Sequence, residues 1–274
     1  MIKISTTKHT SINSQFKVNL LNYIKSFHIL YLILSYIKII IKRANFIYRN
    51  FIYLNFYNFR IDEHLTSQRN LVYLEKKFLG LQTNIKRKFV SPLDPRTKKK
   101  IQEGGMIGGD KMFWHGYNKI YSKYLSRIKA PKNICEIGIL NGSGIATFSV
   151  IFPNSRIFGF DIDTSYFNKN YKKLVSLGAF KKKPNIYKYD QFKKNTILLT
   201  KIFKKKKIKL DLVVDDGFHS NETILNSFNE LEPYLSKSFI YFIEDNPTVY
   251  DVLKKRYRQY SINKYGMMCV ITNK

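Results

Sequence analysis

Residues 136–144 read Glu136-Ile137-Gly138-Ile139-Leu140-Asn141-Gly142-Ser143-Gly144, and this stretch decides the fold. It overlaps an apolar segment, Asn133–Ile139, that is typical of a buried strand, and its last glycine opens a segment with apolar residues at helical spacing. Glycines at a strand-to-helix turn let the backbone bend tightly and approach a ligand closely. The spacing differs from the Gly-x-Gly-x-x-Gly of dinucleotide sites, so a tight turn without a ligand remains an alternative.

Beyond this turn, short apolar strands alternate with helical segments. The further predicted strands are Arg156–Ile162, Asn185–Tyr189, Leu210–Val214 and Ser238–Ile243, and the clearest predicted helices are Gly144–Phe152 and Thr223–Leu235. This alternation predicts an α/β fold with a parallel sheet and right-handed crossovers. Ligands of such sheets bind beyond the carboxyl ends of the strands.

Acidic residues stand at those strand ends. Asp161 ends the second strand, 23 residues after Gly138, where a carboxylate can accept hydrogen bonds from both hydroxyls of a ribose. Asp190 and Gln191 follow the third strand, where they can meet the edge of an adenine.

Together these features resemble the cofactor pattern of the class I S-adenosylmethionine-dependent methyltransferases, over residues 106–274. The resemblance implies a Rossmann-like sheet. It places the glycines around the methionine part of the cofactor, Asp161 on the ribose and Asp190 near the adenine. The predicted cofactor-binding residues are Glu136, Gly138, Gly142, Gly144, Asp161, Asp190 and Gln191.

A second group of polar residues follows the fourth and fifth strands. Asp216 ends the fourth strand, and Glu244 and Asp245 end the fifth. Three hard oxygen ligands at adjacent strand tips suit Mg²⁺, and crowded carboxylates without a cation repel one another. Solvated carboxylates beside a helix cap are the alternative. His219, three positions after Asp216, is then a candidate general base.

This second group resembles the metal-dependent O-methyltransferases that act on sugar hydroxyls of macrolides and other glycosides, and their cephalosporin hydroxylase-like relatives. Glu244 and Asp245 lie 28 and 29 residues after Asp216, as the metal ligands of that group do, and His219 fits its base. The segment Asp110-Lys111…His115-Gly116-Tyr117…Tyr121 is also similar, and in that group it helps to cover the cofactor. The resemblance implies a magnesium-dependent O-methyltransferase acting on a sugar or a glycosylated small molecule.

Three other functions stay open. A nucleic-acid methyltransferase is suggested by Lys181–Lys183 and Lys204–Lys207, although the fourth strand lacks the Asn/Asp-Pro-Pro-aromatic motif of amino-methylating enzymes. A non-catalytic module that keeps only the fold is a second alternative. A hydroxylase-like relative with the same fold and metal is a third.

Two explanations account for the strong positive charge of the chain. The 274 residues include 48 Lys and Arg against 19 Asp and Glu, a formal charge of +29. Residues encoded by AT-rich codons dominate the chain, so the bias of a genome explains the excess as well as an anionic partner does. Two cysteines, Cys135 and Cys269, are too few for a disulfide framework or a cysteine zinc site, and this favours a reducing, cytoplasmic location.

The N-terminal part differs from the rest. We predict a basic apolar arm over residues 1–60, loose over 1–20, a connecting helix and loop over 61–105, and the methyltransferase domain over 106–274. No acidic residue occurs in the first 61 positions, and the densest apolar run, Phe27–Ile41, has 15 residues where a bilayer needs roughly 20. An organellar targeting peptide, a membrane-surface helix over residues 21–60, and an arm packed on the main domain or on a second subunit are all consistent with this pattern.

Overall fold

The computed structural model describes residues 9–60, 64–96 and 105–274, without the side chains of residues 9–26 and of His28. The chain divides into two units, one ending at Phe56 and the other formed by Tyr57–Lys274. The first unit contains the helix α1 (His9–Phe56), so the expectation of a loose segment is wrong for residues 9–20. Residues 1–8 lie outside the description. The predicted boundaries at residues 60 and 105 stay predictions.

The second unit holds the strands and the remaining helices. The helices are α2 (Gln68–Lys77), α3 (Asn118–Leu125), α4 (Ser143–Ile151), α5 (Ser165–Ser176), α6 (Thr196–Leu199), α7 (Asn221–Leu231) and α8 (Val249–Arg256), with a π-helical turn at Thr200–Lys204 and a 3-10 turn at Glu232–Tyr234. The strands are β1 (Gln82–Ile85), β2 (Met106–Gly108), β3 (Asn133–Ile137), β4 (Arg156–Asp161), β5 (Asn185–Lys188), β6 (Leu210–Asp215), β7 (Leu235–Ile243), β8 (Tyr260–Tyr265) and β9 (Met268–Asn273).

Seven of the described strands form one sheet in the order β5-β4-β3-β6-β7-β9-β8. The first five are parallel, β9 runs antiparallel to β7, and β8 pairs with β9 in a hairpin. This sheet confirms the predicted Rossmann-like class I methyltransferase fold. The order reverses between β3 and β6, and a ligand crevice opens at such a switch point.

The sequence-based prediction is wrong at one helix end. The helix expected to reach Leu235 stops at Leu231, and Leu235 already begins β7. Pro233 explains the difference, because proline has no N–H to donate and its ring clashes with a continuing helix. The chain therefore leaves α7 through the 3-10 turn, which has this proline in its first turn.

The core fixes the strand ends that carry the predicted site. Every residue of β3 is buried, since helices cover both faces of the parallel sheet. Large side chains such as Phe160, Phe203, Phe228 and Tyr241 fill one side of the sheet. Burying one side chain of this size stabilises the fold by about 1.5–3 kcal/mol. The loops at the carboxyl ends are thus attached to a rigid frame.

Candidate functional site

The turn after β3 brings two strand ends into direct backbone contact. Gly138 has a φ of +83°, and a Cβ built there would lie 1.9 Å from the carbonyl oxygen of Asp216, beyond the end of β6. Only glycine allows this approach. Gly138 thus joins the glycine-rich turn to the acidic residues of the next strand.

A buried carboxylate lies beneath the rest of the turn. Gly142 is the N-cap of α4 and has a φ of +90°, and a Cβ on Gly144 would lie 2.2 Å from Oε1 of Glu136. The Glu136 side chain is buried, and its Oε1 accepts a hydrogen bond of 2.5 Å from Nζ of Lys111. Its Oε2 has no hydrogen-bond partner among the described residues. A buried acceptor without a partner is an acceptor that a ligand can satisfy.

Asp161 braces the same turn from β4. Its Oδ2 accepts a hydrogen bond from the Leu140 amide at 2.9 Å, and its Oδ1 accepts one from the Asp163 amide at 2.9 Å. Each carboxylate oxygen has a second lone pair, so Asp161 still has capacity for hydroxyl donors.

Asp190 and Gln191, after β5, have different environments. Asp190 accepts a hydrogen bond of 2.9 Å from the Ser91 hydroxyl. The buried Gln191 amide donates at 2.9 Å both to Asp215 and to Ser227, and it accepts from the Phe218 amide at 2.8 Å. Gln191 therefore ties the end of β5 to the end of β6, while its predicted adenine contact stays a prediction.

One wall of the cleft is formed by a loop that the sequence analysis predicted only as part of the connecting segment 61–105. Within this 86–96 loop, the Lys88 amide donates to Asp163 at 2.7 Å, and the Arg96 guanidinium lies 4.6 Å from the centre of the Phe218 ring. The cavity below it is lined by both the loop and the strand ends, among them Ser91, Gly138, Asp161, Tyr189, Asp190 and Phe218. These contacts join residues about 75 to 120 positions apart, so no local sequence pattern signals them.

Three side chains converge beyond β6 and β7. Asp216, His219 and Asp245 each have one potential metal-ligand atom within 4.8 Å of the other two. This group was found among the residues that the structure describes. His219 and Asp245 have φ values of +63° and +54°, which residues other than glycine rarely adopt. Such strained backbone is concentrated at functional sites.

The position of His219 indicates its tautomer. Its Nδ1 lies 3.2 Å from the carbonyl oxygen of Glu244, and its Nε2 lies 3.8 Å from a carboxylate oxygen of Asp216. A carbonyl oxygen only accepts, so this contact requires the hydrogen on Nδ1. In the neutral imidazole, Nε2 is then the free acceptor.

The sequence placed Lys111 only in a segment expected to cover the cofactor, and its contacts with the acidic residues were not predicted. Its buried ammonium lies 2.5 Å from Glu136, 3.2 Å from Asp216 and 3.4 Å from Glu244. Burial alone lowers the pKa of Lys111, but the carboxylates of Asp216, Glu136 and Glu244 outweigh it and hold the pKa well above its usual value. The site thus contains a cation of its own.

Glu244 faces this cation rather than the group of three. Its side chain is buried, it accepts a hydrogen bond from the Tyr121 hydroxyl, and burial raises its pKa well above the usual range, opposed by Lys111. Tyr117 donates a hydrogen bond to Asp245, and Nδ1 of His115 lies 3.6 Å from the same carboxylate. The segment expected to cover the cofactor therefore contacts the acidic residues.

Comparison with known proteins adds a likeness in fold. No known family and no curated protein matches the chain. Among solved structures, it is similar to the MycE methyltransferase of the mycinamycin biosynthetic pathway in complex with Mg and SAH, with 18% identity and a TM-score of 0.45. The match covers 60% of this chain and 50% of that one, so the chain spans about half the length of MycE.

Two further solved structures are similar at lower identity. The O-methyltransferase TomG from Streptomyces achromogenes, involved in tomaymycin synthesis and in complex with SAM, has 12% identity and a TM-score of 0.42, with 55% of this chain and 77% of that chain covered. A putative caffeoyl-CoA O-methyltransferase from Staphylococcus aureus has 14% identity and a TM-score of 0.42, with coverage of 56% and 80%.

Proposed function

We propose that this chain is an S-adenosylmethionine-dependent, magnesium-assisted O-methyltransferase that acts on a hydroxyl of a sugar or a glycosylated small molecule. One observation supports this most strongly: Asp216, His219 and Asp245 converge within 4.8 Å beside the glycine turn. A cation site and a base then adjoin a cleft suited to a nucleoside.

The cleft fits the cofactor in three respects. Gly138 and Gly144 remove side chains where the backbone approaches its neighbours most closely. The free Oε2 of Glu136 offers a buried acceptor, and Asp161 offers a carboxylate for the ribose hydroxyls. Bound there, S-adenosylmethionine supplies an electrophilic methyl group on a sulfonium. Asp190 and Gln191 would hold the adenine side of the cleft.

The donor set also fits a hard divalent cation. Asp216 and Asp245 offer two carboxylates close together, and Glu244 stands one residue before Asp245 on the side of Lys111. Oxygen ligands favour Mg²⁺ over softer ions. Bound magnesium supplies a Lewis acid that makes an acceptor hydroxyl more acidic.

In this proposal His219 is the general base that accepts the proton of the acceptor hydroxyl. Its Nδ1–H is fixed by the Glu244 carbonyl, so Nε2 can take the hydrogen of an acceptor hydroxyl bound beside Asp216. A bound sulfonium would supply the methyl group to the acceptor oxygen and leave as a neutral thioether, and Nε2 of His219 would hold the proton that the acceptor hydroxyl loses.

A second candidate is the same methyl transfer without a metal, and Lys111 is the observation that favours it. Its ammonium already neutralises part of the charge of Glu136, Asp216 and Glu244. A magnesium ion would then neutralise only the remaining charge of Asp216 and Asp245.

The test is transfer of a labelled methyl group from S-adenosylmethionine to a panel of glycosides, with magnesium and after chelation. We expect transfer to glycosides that is lost in EDTA and restored by Mg²⁺. Asp216→Asn should lose most of this activity, and Asp251→Asn, an exposed carboxylate on α8, serves as the control. Full activity in EDTA would exclude the magnesium mechanism in favour of the metal-free one. Methylation of RNA or DNA but of no glycoside would overturn the acceptor class.

A further inference from the structure

The helix α1 exposes an apolar surface far larger than the scattered apolar residues of an ordinary protein surface. Large side chains along 29–51 are between 44% and 68% exposed: Ile29, Leu30, Ile33, Leu34, Ile37, Ile40, Ile41, Ile47, Tyr48 and Phe51. Many of them recur three and four positions apart, and this spacing places them on one side of a helix. We call these ten residues the apolar face of α1.

Five polar residues of the same segment lie along one stripe, whereas Arg43 and Asn50 lie outside it. Ser35, Lys38, Lys42, Asn45 and Arg49 follow one another at spacings of three and four. Each charge in this stripe is positive, because no acidic residue occurs before Asp62.

Compositional bias does not explain this absence. The same bias acts on the rest of the chain, which nevertheless holds all 19 acidic residues between positions 62 and 274. At that frequency, about five acidic residues would be expected in a segment as long as the first 61 positions. The N-terminal segment is therefore distinct in both hydrophobicity and charge.

We propose that α1 binds the surface of an anionic lipid bilayer, with its apolar face in the interface and its lysines beside the headgroups. An interfacial helix gains from buried apolar area and from attraction between Lys or Arg and anionic lipid. None of the described helices combines the length and apolar composition that crossing a bilayer requires. A surface position suits such a helix.

Two other occupants fit α1 less well. A second copy of the helix would bring like charges together without any acidic residue to pair with them. It would also cover only a narrow seam, whereas the ten exposed residues of the apolar face span a wider side of the helix. A nucleic acid would contact the lysines and leave the apolar face in water.

The experiment is co-sedimentation of the full chain with vesicles, one set of neutral phosphatidylcholine and one with added phosphatidylglycerol. We expect binding to the anionic vesicles at least tenfold tighter than to the neutral ones. The double variant Lys38→Glu/Lys42→Glu should lose at least tenfold of the anionic binding, since each lysine near the surface contributes about 1 kcal/mol. The matched control is Lys181→Glu/Lys183→Glu, the same charge change at exposed lysines of the second unit.

A second variant tests the apolar face. Ile37→Gln/Ile40→Gln should weaken vesicle binding while circular dichroism shows unchanged helix content. Light scattering on the same samples reports the oligomeric state. The proposal is overturned if the chain binds neither vesicle, if it binds both equally, or if the variants dissolve a dimer and leave vesicle binding unchanged.

Discussion

At the scale of single residues, Lys111 determines how much of the negative charge in the site is already neutralised. Lys111→Met keeps most of the side-chain volume but removes the cation from three carboxylates. Breaking a buried ion pair by removing one partner costs about 3–5 kcal/mol. We expect a lower melting temperature in EDTA and a larger recovery on adding Mg²⁺ than the wild type shows.

Thermal unfolding with and without Mg²⁺ measures both effects. Lys119→Met, an exposed lysine eight positions away, is the control and should change neither. If Mg²⁺ leaves the Lys111→Met variant unaffected, the carboxylates are not a cation site.

His219→Ala tests the assignment of the base. General-base catalysis contributes roughly 10²–10⁴-fold, so kcat should fall by that factor while cofactor affinity stays the same. Calorimetry and single-turnover kinetics measure these outcomes, with the exposed His64→Ala as control. An unchanged kcat would contradict the role.

Glu75 makes the stability of the fold depend on pH. It accepts hydrogen bonds from the amides of Met112 and Phe113, yet burial raises its pKa to about 7 from an ordinary 4.5. The folded protein thus holds this proton more tightly than the unfolded chain. The contribution of Glu75 to the free energy of unfolding is fully present below pH 4.5. It falls by about 3 kcal/mol as the pH rises to about 7.

Glu75→Gln carries no charge at any pH, so its free energy of unfolding should fall less over this range. Denaturant unfolding at several pH values measures the difference. Glu222→Gln, at an exposed position in the first turn of α7, should keep the wild-type slope. Parallel slopes for wild type and Glu75→Gln would contradict the assignment.

At the scale of elements, long-range contacts to Asp163 and Asp190 hold the 86–96 loop against the cleft. Asp163 holds it through the amides of Lys88 and Phe89, at 2.7 and 3.3 Å. Those donors and Ser165 outweigh burial and lower the pKa of Asp163, so it stays ionised. Asp163→Ala should loosen the loop and weaken cofactor binding without unfolding the sheet.

Hydrogen exchange of the Lys88 and Phe89 amides, with calorimetry of cofactor binding, measures this effect. We expect faster exchange and an affinity lower by about tenfold, the scale of one or two lost charge-assisted hydrogen bonds. Asp251→Ala should change neither. Faster exchange with unchanged affinity would remove the loop from the cofactor site.

The sequence predicted strands better than it predicted contacts between distant segments. The five parallel strands follow from local apolar runs and turns, which the chain shows directly. The Lys111–Glu136 pair and the Ser91–Asp190 hydrogen bond join segments 25 and 99 positions apart, and either lysine or serine would pass for a surface residue in a sequence. The carboxylates at the strand ends could be predicted because acidic residues are few in this chain and each of these directly follows an apolar strand. Recognising them requires no knowledge of long-range contacts.

At the scale of the whole molecule, the second unit contains a core of its own. A large hydrophobic cluster in this unit is formed by residues between Cys135 and Ile271. A domain with its own core is expected to fold alone. Deleting the first 56 residues should therefore leave one cooperative unfolding transition and a cofactor affinity within about threefold of the full chain. Loss of the transition would show that α1 belongs to the folding unit.

The strand order also gives the lysine excess a physical role that needs no partner. It leaves β5 and β8 at the two edges of the sheet, where unpaired N–H and C=O groups invite pairing with another chain. Exposed lysines flank or occupy both edges, Lys181–Lys183 and Lys188 at β5 and Lys264 at β8. Charge at an edge strand opposes intermolecular β-pairing, so these lysines act as gatekeepers against aggregation in a chain unusually rich in Ile, Phe and Tyr.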